Sequence, residues 1–230
     1  MRNPIIVALD VPDAEAALNL ARQLAPTVGA FKIGKELFVG AGPDIVRAIR
    51  DEGGAVFLDL KFHDIPNTVA RAVATAAQLD VAMLTIHTSG GRAMMAAAEA
   101  AAQEMDNTPL VLGVTVLTSM DGNDLQEIGV TEDPAAQVER LAKLATESGL
   151  RGLVCSPCEI STLRKVLPRE LQLVTPGIRP RGSDADDQKR TLTPAEAIAA
   201  GADWLVIGRP ITAADDPRVA AETILADLSL

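Results

Sequence analysis

The sequence predicts an α/β fold, a (β/α)8 TIM barrel that takes up residues 1–230 as a single domain. Two observations predict it: short apolar runs alternate with Ala-rich amphipathic segments from end to end, and there are eight of each. A length of 230 residues also suits such a barrel. Periodicity alone leaves an open, doubly wound sheet as an alternative, but no G-x-G-x-x-G follows the first apolar run.

The apolar runs are rich in β-branched and large aliphatic residues and lack regular period-two alternation. Both properties are typical of parallel strands that are buried on both faces. The runs predict strands at 4–10, 29–35, 55–61, 82–87, 109–117, 152–156, 171–177 and 203–209.

The amphipathic segments between these runs predict helices. Several begin with an Asp or a Pro, as at Asp13, Asp44 and Pro134, and several are followed by a Gly that precedes the next strand. The predicted helices are 13–25, 43–53, 66–79, 90–104, 133–149, 157–166, 194–201 and 216–228.

Composition and charge argue against several classes of function. The net charge of −10 and an aromatic content of 2% do not fit a protein that binds nucleic acid. No signal peptide and no apolar stretch of membrane-spanning length, about 18 residues, is present, so we expect no membrane partner and a cytoplasmic location. Cys155 and Cys158 have the spacing of a redox pair but no thioredoxin-like context, and we interpret them as structural.

Polar residues near the ends of the predicted strands mark the expected active site, because barrel enzymes carry theirs at the C-terminal ends of the strands. A charged residue in a buried strand is costly unless it is paired, so each is either a structural ion pair or functional. The residues in question are Asp10, Lys32, Lys35, Asp59, Lys61, His87, Thr115, Thr118, Ser156, Thr175 and Arg209.

The third strand carries the most informative group. Asp59 and Lys61 are two residues apart and should point to the same side of a strand, and Asp64 follows in the loop. Carboxylates on either side of a Lys favour its protonated form, which makes it a proton donor and not a Schiff-base amine. This arrangement suits loss of CO2 followed by protonation of the remaining carbon, with a structural salt-bridge chain as the alternative.

The last two strands are followed by features of a phosphate site. Gly208 and Arg209 come directly after the eighth strand, where barrels often bind phosphate. The long polar loop 176–190 contains Arg179 and Gln188, which could close over the same group. By itself this loop is equally consistent with a solvated segment.

The run D-L-K-F-H-D-I-P-N-T at 59–68 is similar to the signature of the orotidine 5'-phosphate decarboxylase family. The sequence resembles the short bacterial form of that family. The resemblance continues in order over most of the chain, at 8–10, 31–38, 85–91, 116–119, 174–180, 186–198 and 201–212.

The resemblance implies a role for each matching residue. Lys61 would protonate C6, Asp59 would face the substrate carboxylate, and Lys32 would join the charged array and contact the ribose. Asp64, Ile65 and Thr68 would serve the neighbouring subunit's site, which implies a homodimer with shared active sites. The remaining substrate contacts would be Asp10 to the ribose, Thr118 to the pyrimidine, and Arg179, Gln188, Gly208 and Arg209 to the 5'-phosphate. The family uses neither a metal nor an organic cofactor.

Two alternatives stay open at this point. A sugar-phosphate decarboxylase or aldolase of the same broader superfamily has a similar Asp-x-Lys-x-x-Asp pattern, but uses it to bind Mg²⁺. The I-P-N-T continuation and the D-D-Q-K-R run at 186–190 favour the pyrimidine nucleotide instead. A catalytically inactive nucleotide-binding barrel is disfavoured, because Lys32, Asp59, Lys61 and Asp64 are all present.

Overall fold

The computed structural model describes residues 3–180 and 191–228. Its strands are parallel and pair in chain order, and the last pairs with the first to close a barrel, which confirms the predicted fold. The strands are β1 (Ile5–Ala8), β2 (Ala30–Gly34), β3 (Val56–Phe62), β4 (Met83–His87), β5 (Leu110–Val114), β6 (Gly152–Val154), β7 (Gln172–Thr175) and β8 (Trp204–Ile207).

Each predicted helix has a counterpart, and three short helices were not predicted: Lys35–Ala41, Gly122–Glu127 and Arg209–Thr212. The segment predicted as one helix at 157–166 begins with a 3-10 turn, Pro157–Glu159, and a second 3-10 turn covers Thr88–Gly90. Across residues 3–180 and 191–228, no helix is both long and apolar enough to span a membrane. The helices are α1 (Ala14–Leu24), α2 (Lys35–Ala41), α3 (Asp44–Asp51), α4 (Pro66–Ala77), α5 (Gly91–Gln103), α6 (Gly122–Glu127), α7 (Pro134–Glu147), α8 (Ile160–Val166), α9 (Pro194–Ala200), α10 (Arg209–Thr212) and α11 (Pro217–Ala226).

Helix starts follow the local signals in the sequence. The Asp13 carboxylate accepts a hydrogen bond from the backbone N–H of Ala16, and the Asp133 carboxylate accepts one from Ala135. These caps satisfy N–H groups that have no partner inside the helix. They therefore set where α1 and α7 begin, and with them the lengths of the loops that precede these helices.

The core has two layers that are separated by the barrel wall. Outward-facing strand residues such as Leu58 pack against the helices, while alternate residues such as Phe57 fill the barrel interior. At one end of the interior, Trp204 Nε1 donates a hydrogen bond of 2.8 Å to Gln172 Oε1. The apolar filling closes the interior below the strand ends, so polar side chains further along the strands lie at the open, C-terminal mouth.

Candidate active site at the C-terminal mouth of the barrel

Two residues beyond the apolar side chains that fill the barrel interior, the inward-facing side chains of β2, β3 and β4 are polar. Lys32 follows Ala30, Asp59 follows Phe57, and Thr85 follows Met83, each with the same inward orientation. The Lys61 Nζ lies 2.8 Å from each carboxylate oxygen of Asp59. The two side chains are only 23% and 15% exposed, so this ion pair is largely shielded from water. Shielding of this kind strengthens its electrostatic attraction.

The side chains of Asp59 and Lys61 lie on the same side of β3, as strand alternation predicts, whereas Leu58 and Leu60 face the helices. Lys61 has a φ of +54°, in the left-handed region that residues other than glycine rarely adopt. The pairing of β3 with β4 shifts register between Leu58 and Phe62. The alternation of side chains is therefore kept along β3, although a bulge at the lysine interrupts its pairing with β4.

A second ion pair joins the ends of β1 and β2. Lys32 Nζ lies 2.8 Å from Asp10 Oδ1, with the lysine side chain mostly buried and the aspartate exposed. Gly34 leaves room for this pair, because a Cβ there would lie 3.2 Å from Lys32 Nζ and 3.3 Å from Asp10 Oδ1. A side chain at position 34 would therefore press against this ion pair.

A cavity of about 190 Å³ lies beside the charged residues. One part of its wall is charged, with Lys32, Asp59 and Lys61, and the rest is mainly apolar. This mixture suits a small, mainly apolar ligand that carries a charged group at one edge. The remaining lining residues are Phe57, Val114, Val116, Leu117, Thr118, Val154, Cys155, Pro176 and Val206.

An adjoining cavity of about 360 Å³ extends from the first and shares Lys32, Pro176 and Val206 with it. It contains two guanidinium groups, those of Arg179 and Arg209, which are suited to bidentate recognition of an anion. Its other lining residues are Ala8, Asp10, Gly177, Gly208 and Thr212. The two cavities together form one cleft with an apolar compartment and a cationic compartment.

The chain is similar over nearly its whole length to proteins of one known family. The model of the family described as "Orotidine 5'-phosphate decarboxylase / HUMPS family" matches residues 3–224. The chain belongs to this family.

Individual relatives support the assignment over the full length. Proteins named orotidine 5'-phosphate decarboxylase from Opitutus terrae and from Pseudomonas syringae pv. tomato are each 55% identical to the chain. The alignments cover 97% of the chain and 97% of the Opitutus protein, and 99% of the chain and 98% of the Pseudomonas protein. The crystal structure of orotidine 5'-phosphate decarboxylase from Lactobacillus acidophilus superposes with a TM-score of 0.89 at 36% identity, covering 99% of this chain and all of that one.

Most of the predicted site residues of this family member line the cleft, and a second group does not. Asp64, Ile65 and Thr68 are exposed and line neither cavity. The Asp64 carboxylate accepts a hydrogen bond of 2.6 Å from the backbone N–H of Ile65. Gln188 lies outside the described residues. The residues that line the cleft are Asp10, Lys32, Asp59, Lys61, Thr118, Arg179, Gly208 and Arg209.

The two cysteines do not form a redox pair. Cys155 is buried in the cavity wall and Cys158 is exposed, and both are free thiols. Burial, and then the nearby Glu159, raise the pKa of Cys155 to about 12. The cavity wall is therefore lined here by a neutral thiol that behaves as a small apolar group.

Thr85 is a component of the site that sequence reasoning did not single out. Its hydroxyl donates a hydrogen bond of 2.9 Å to Asp59 Oδ1 and accepts one of 2.9 Å from the Lys61 backbone N–H. The available signal was a single hydroxyl residue inside the otherwise apolar run 83–86. Nothing in the sequence indicated which strand it would face.

Metal binding has no obvious donor set in this cleft. Within the described part of the chain, no three His, Cys, Asp or Glu side chains come together as a possible metal site. Both oxygens of Asp59 are instead occupied by the lysine ammonium.

His87, at the end of β4, gives the site a pH-dependent component of stability. Its ring centroid lies 5.5 Å from that of His63. Burial lowers its pKa from 6.5, and the nearby His63, Lys61 and Lys35 lower it further against the opposing effect of Asp59. The unfolded chain therefore takes up this proton at a higher pH than the folded chain does, and stability is lost as the pH falls from above 6.5 towards the lower native pKa.

We therefore expect His87→Gln to reduce the loss of stability on acidification. The free energy of unfolding in urea, measured at about pH 7.5 and about pH 5.5, should fall less in this variant than in the unmodified protein. Comparing differences between the two pH values cancels any pH-independent cost of the substitution. Equal falls in both proteins would contradict the interpretation.

Proposed function

We propose that this member of the family converts orotidine 5'-phosphate to UMP and CO2, the last step of de novo pyrimidine nucleotide synthesis. The observation that carries the proposal is the shielded contact of Lys61 Nζ with both oxygens of Asp59, on the wall of a mainly apolar cavity. The names of relatives that are 55% identical over nearly the whole chain support it.

Lys61 is the proton donor in the proposed reaction. The bond between C6 of the pyrimidine and its carboxylate breaks, CO2 leaves, and the bonding electron pair stays on C6. A proton then moves from Lys61 Nζ to C6 to give UMP, and the neutral amine is reprotonated from solvent. No electrons are gained or lost overall, so the balance needs no redox cofactor, and we propose that no metal takes part.

Asp59 and Lys32 complete the charged array. The Asp59 carboxylate holds the lysine ammonium by charge and hydrogen bonding before substrate arrives. It also faces the substrate carboxylate, whose negative charge disperses as CO2 forms, so repulsion present in the ground state is relieved at the transition state. Lys32, held by Asp10, contributes a second ammonium at the junction of the two compartments and contacts the ribose.

The rest of the nucleotide follows the shape of the cleft. The pyrimidine occupies the apolar compartment, where Thr118 contacts it, and Asp10 binds the ribose hydroxyls. The 5'-phosphate occupies the cationic compartment, where Arg179, Gly208 and Arg209 bind it together with Gln188. Binding energy from the phosphate end is then available to lower the barrier at C6.

We further propose a homodimer in which each site is completed by the partner. Asp64, Ile65 and Thr68 come shortly after β3, the strand that carries Asp59 and Lys61. They are exposed and line neither cavity of their own chain. Ile65 is 67% exposed, so its side chain is accessible to a second subunit. In the proposed assembly these three residues reach the neighbouring subunit's substrate.

The direct test is the loss of pyrimidine absorbance when the purified protein is incubated with orotidine 5'-phosphate. We expect turnover that survives excess EDTA. No turnover would refute the proposed reaction. Turnover that EDTA abolishes and Mg²⁺ restores would refute cofactor independence and favour the metal-dependent chemistry of the wider superfamily.

The contribution of the cationic compartment to phosphate binding can be measured with Arg209→Ala. A charge-assisted contact of this kind corresponds to a loss in kcat/KM of about 10- to 100-fold for orotidine 5'-phosphate. For orotidine, which lacks the phosphate, we expect little change. Arg140→Ala, on the exposed face of α7, is the matched control and should leave both substrates unaffected. Equal losses for the two substrates would contradict a phosphate contact.

A further inference from the structure

The bulge in β3 is closed by a side chain from the neighbouring strand. Four steps separate Leu58 from Phe62 on β3, whereas only two separate their partners Leu84 and Ile86 on β4. Thr85 is the one residue between those partners, so it lies opposite the surplus segment of β3. The Lys61 N–H, at the end of that segment, donates a hydrogen bond of 2.9 Å to the Thr85 hydroxyl.

The hydrogen bonds of Thr85 have a defined direction. A backbone N–H can only donate and an ionised carboxylate can only accept, so the hydroxyl receives from Lys61 and gives its own proton to Asp59. Thr85 has no exposed surface, so water does not compete for these bonds. One hydroxyl therefore connects the backbone of the proposed proton donor to the side chain of its carboxylate partner.

Lys61 and Asp59 both need the hydrogen bonds that Thr85 provides. The left-handed conformation of Lys61 is unfavourable for a residue other than glycine and persists only where surrounding contacts maintain it. Asp59 loses its attraction to the ammonium once the lysine has given up its proton, and an arriving substrate carboxylate repels it. The hydrogen bond from Thr85 stays in place through both events and resists rotation of the carboxylate away from the substrate.

We infer that Thr85 is a positioning residue of the decarboxylation, which keeps Asp59 and Lys61 in their reactive arrangement without contacting substrate. This inference rests on the proposed function. It also predicts a specific kinetic pattern, because a positioning group affects the chemical step more than it affects nucleotide binding.

The test compares three variants. Thr85→Val replaces the hydroxyl by a methyl group of similar size, and Thr85→Ser keeps the hydroxyl. Thr88→Val is the matched control: Thr88 is equally buried, directly follows the same strand, and donates a side-chain hydrogen bond of 2.9 Å to the Val114 carbonyl. The control thus loses a buried hydroxyl without touching either reactive residue.

We expect Thr85→Val to lower kcat by about 10- to 100-fold, while KM for orotidine 5'-phosphate and the Kd for UMP change less than about threefold. Thr85→Ser should keep kcat within about threefold, and so should Thr88→Val. A kcat for Thr85→Val equal to that of Thr88→Val would overturn the inference, and so would a Thr85→Ser variant as slow as Thr85→Val. If Thr85→Val does not fold, Thr85→Ala carries the same comparison. Failure of the proposed function is distinguishable, because the unmodified protein itself would then not turn over orotidine 5'-phosphate.

Discussion

Lys61→Ala should reduce decarboxylation of orotidine 5'-phosphate by about 10⁴-fold, the upper end of what a positioned proton donor contributes. The reason is that the described residues place no other ammonium against Asp59 by hydrogen bond or salt bridge. Without it, the carbanion formed at C6 has no adjacent acid and recaptures CO2. The measurement is single-turnover loss of substrate absorbance at saturating enzyme.

Binding should survive this substitution, which separates a catalytic role from a structural one. UMP carries no carboxylate at C6, and its ribose and phosphate contacts lie elsewhere in the cleft, so we expect its affinity to remain measurable by calorimetry. Lys165→Ala, at an exposed position on α8, is the control for loss of a lysine and should turn over normally. Turnover of Lys61→Ala within about tenfold of the unmodified protein would refute the proposed proton donor.

Heterodimers of Asp64→Asn and Lys61→Ala subunits should be active even though each homodimer is inactive. If each site takes Lys61 from one chain and Asp64 from the other, such a heterodimer contains one intact site and one with both defects. Purified by two different affinity tags, it should show about half the turnover of the unmodified dimer.

The opposite pairing provides the matched control. A heterodimer of an unmodified subunit with an Asp64→Asn, Lys61→Ala double variant has one defect in each shared site and should be inactive. If instead each site were built within a single chain, the first heterodimer would be inactive and the second would keep about half its turnover. The pair of measurements therefore gives reversed results for the two arrangements, and the second pattern would refute the shared site.

Much of the fold was accessible from sequence because local patterns encode it. Strands buried on both faces produce continuous apolar runs, and the alternation of these runs with amphipathic helices leaves few arrangements besides a barrel. Short helices such as α6 and α10 were not predicted, because four to six residues carry too little periodicity to be distinguished from loops.

The charged residues of the site were also predictable, because a Lys or Asp at the end of a buried strand is conspicuous. Lys32, Asp59, Lys61 and Arg209 were all identified in this way, and they do line one cleft. Thr85 was not identified, since a threonine is common in strands and its importance depends on what lies opposite it.

The sequence by itself determined the barrel, the family and the identity of the charged residues at the strand ends. The tertiary structure decided what surrounds the pair of Lys61 and Asp59: a bulge in β3, a left-handed backbone at the lysine, and a hydroxyl supplied from β4. The physical reason is that register between strands depends on pairing across the sheet. Residues that are 24 and 26 positions apart in sequence must come together before the site has its shape, and no local pattern in either strand records that they do.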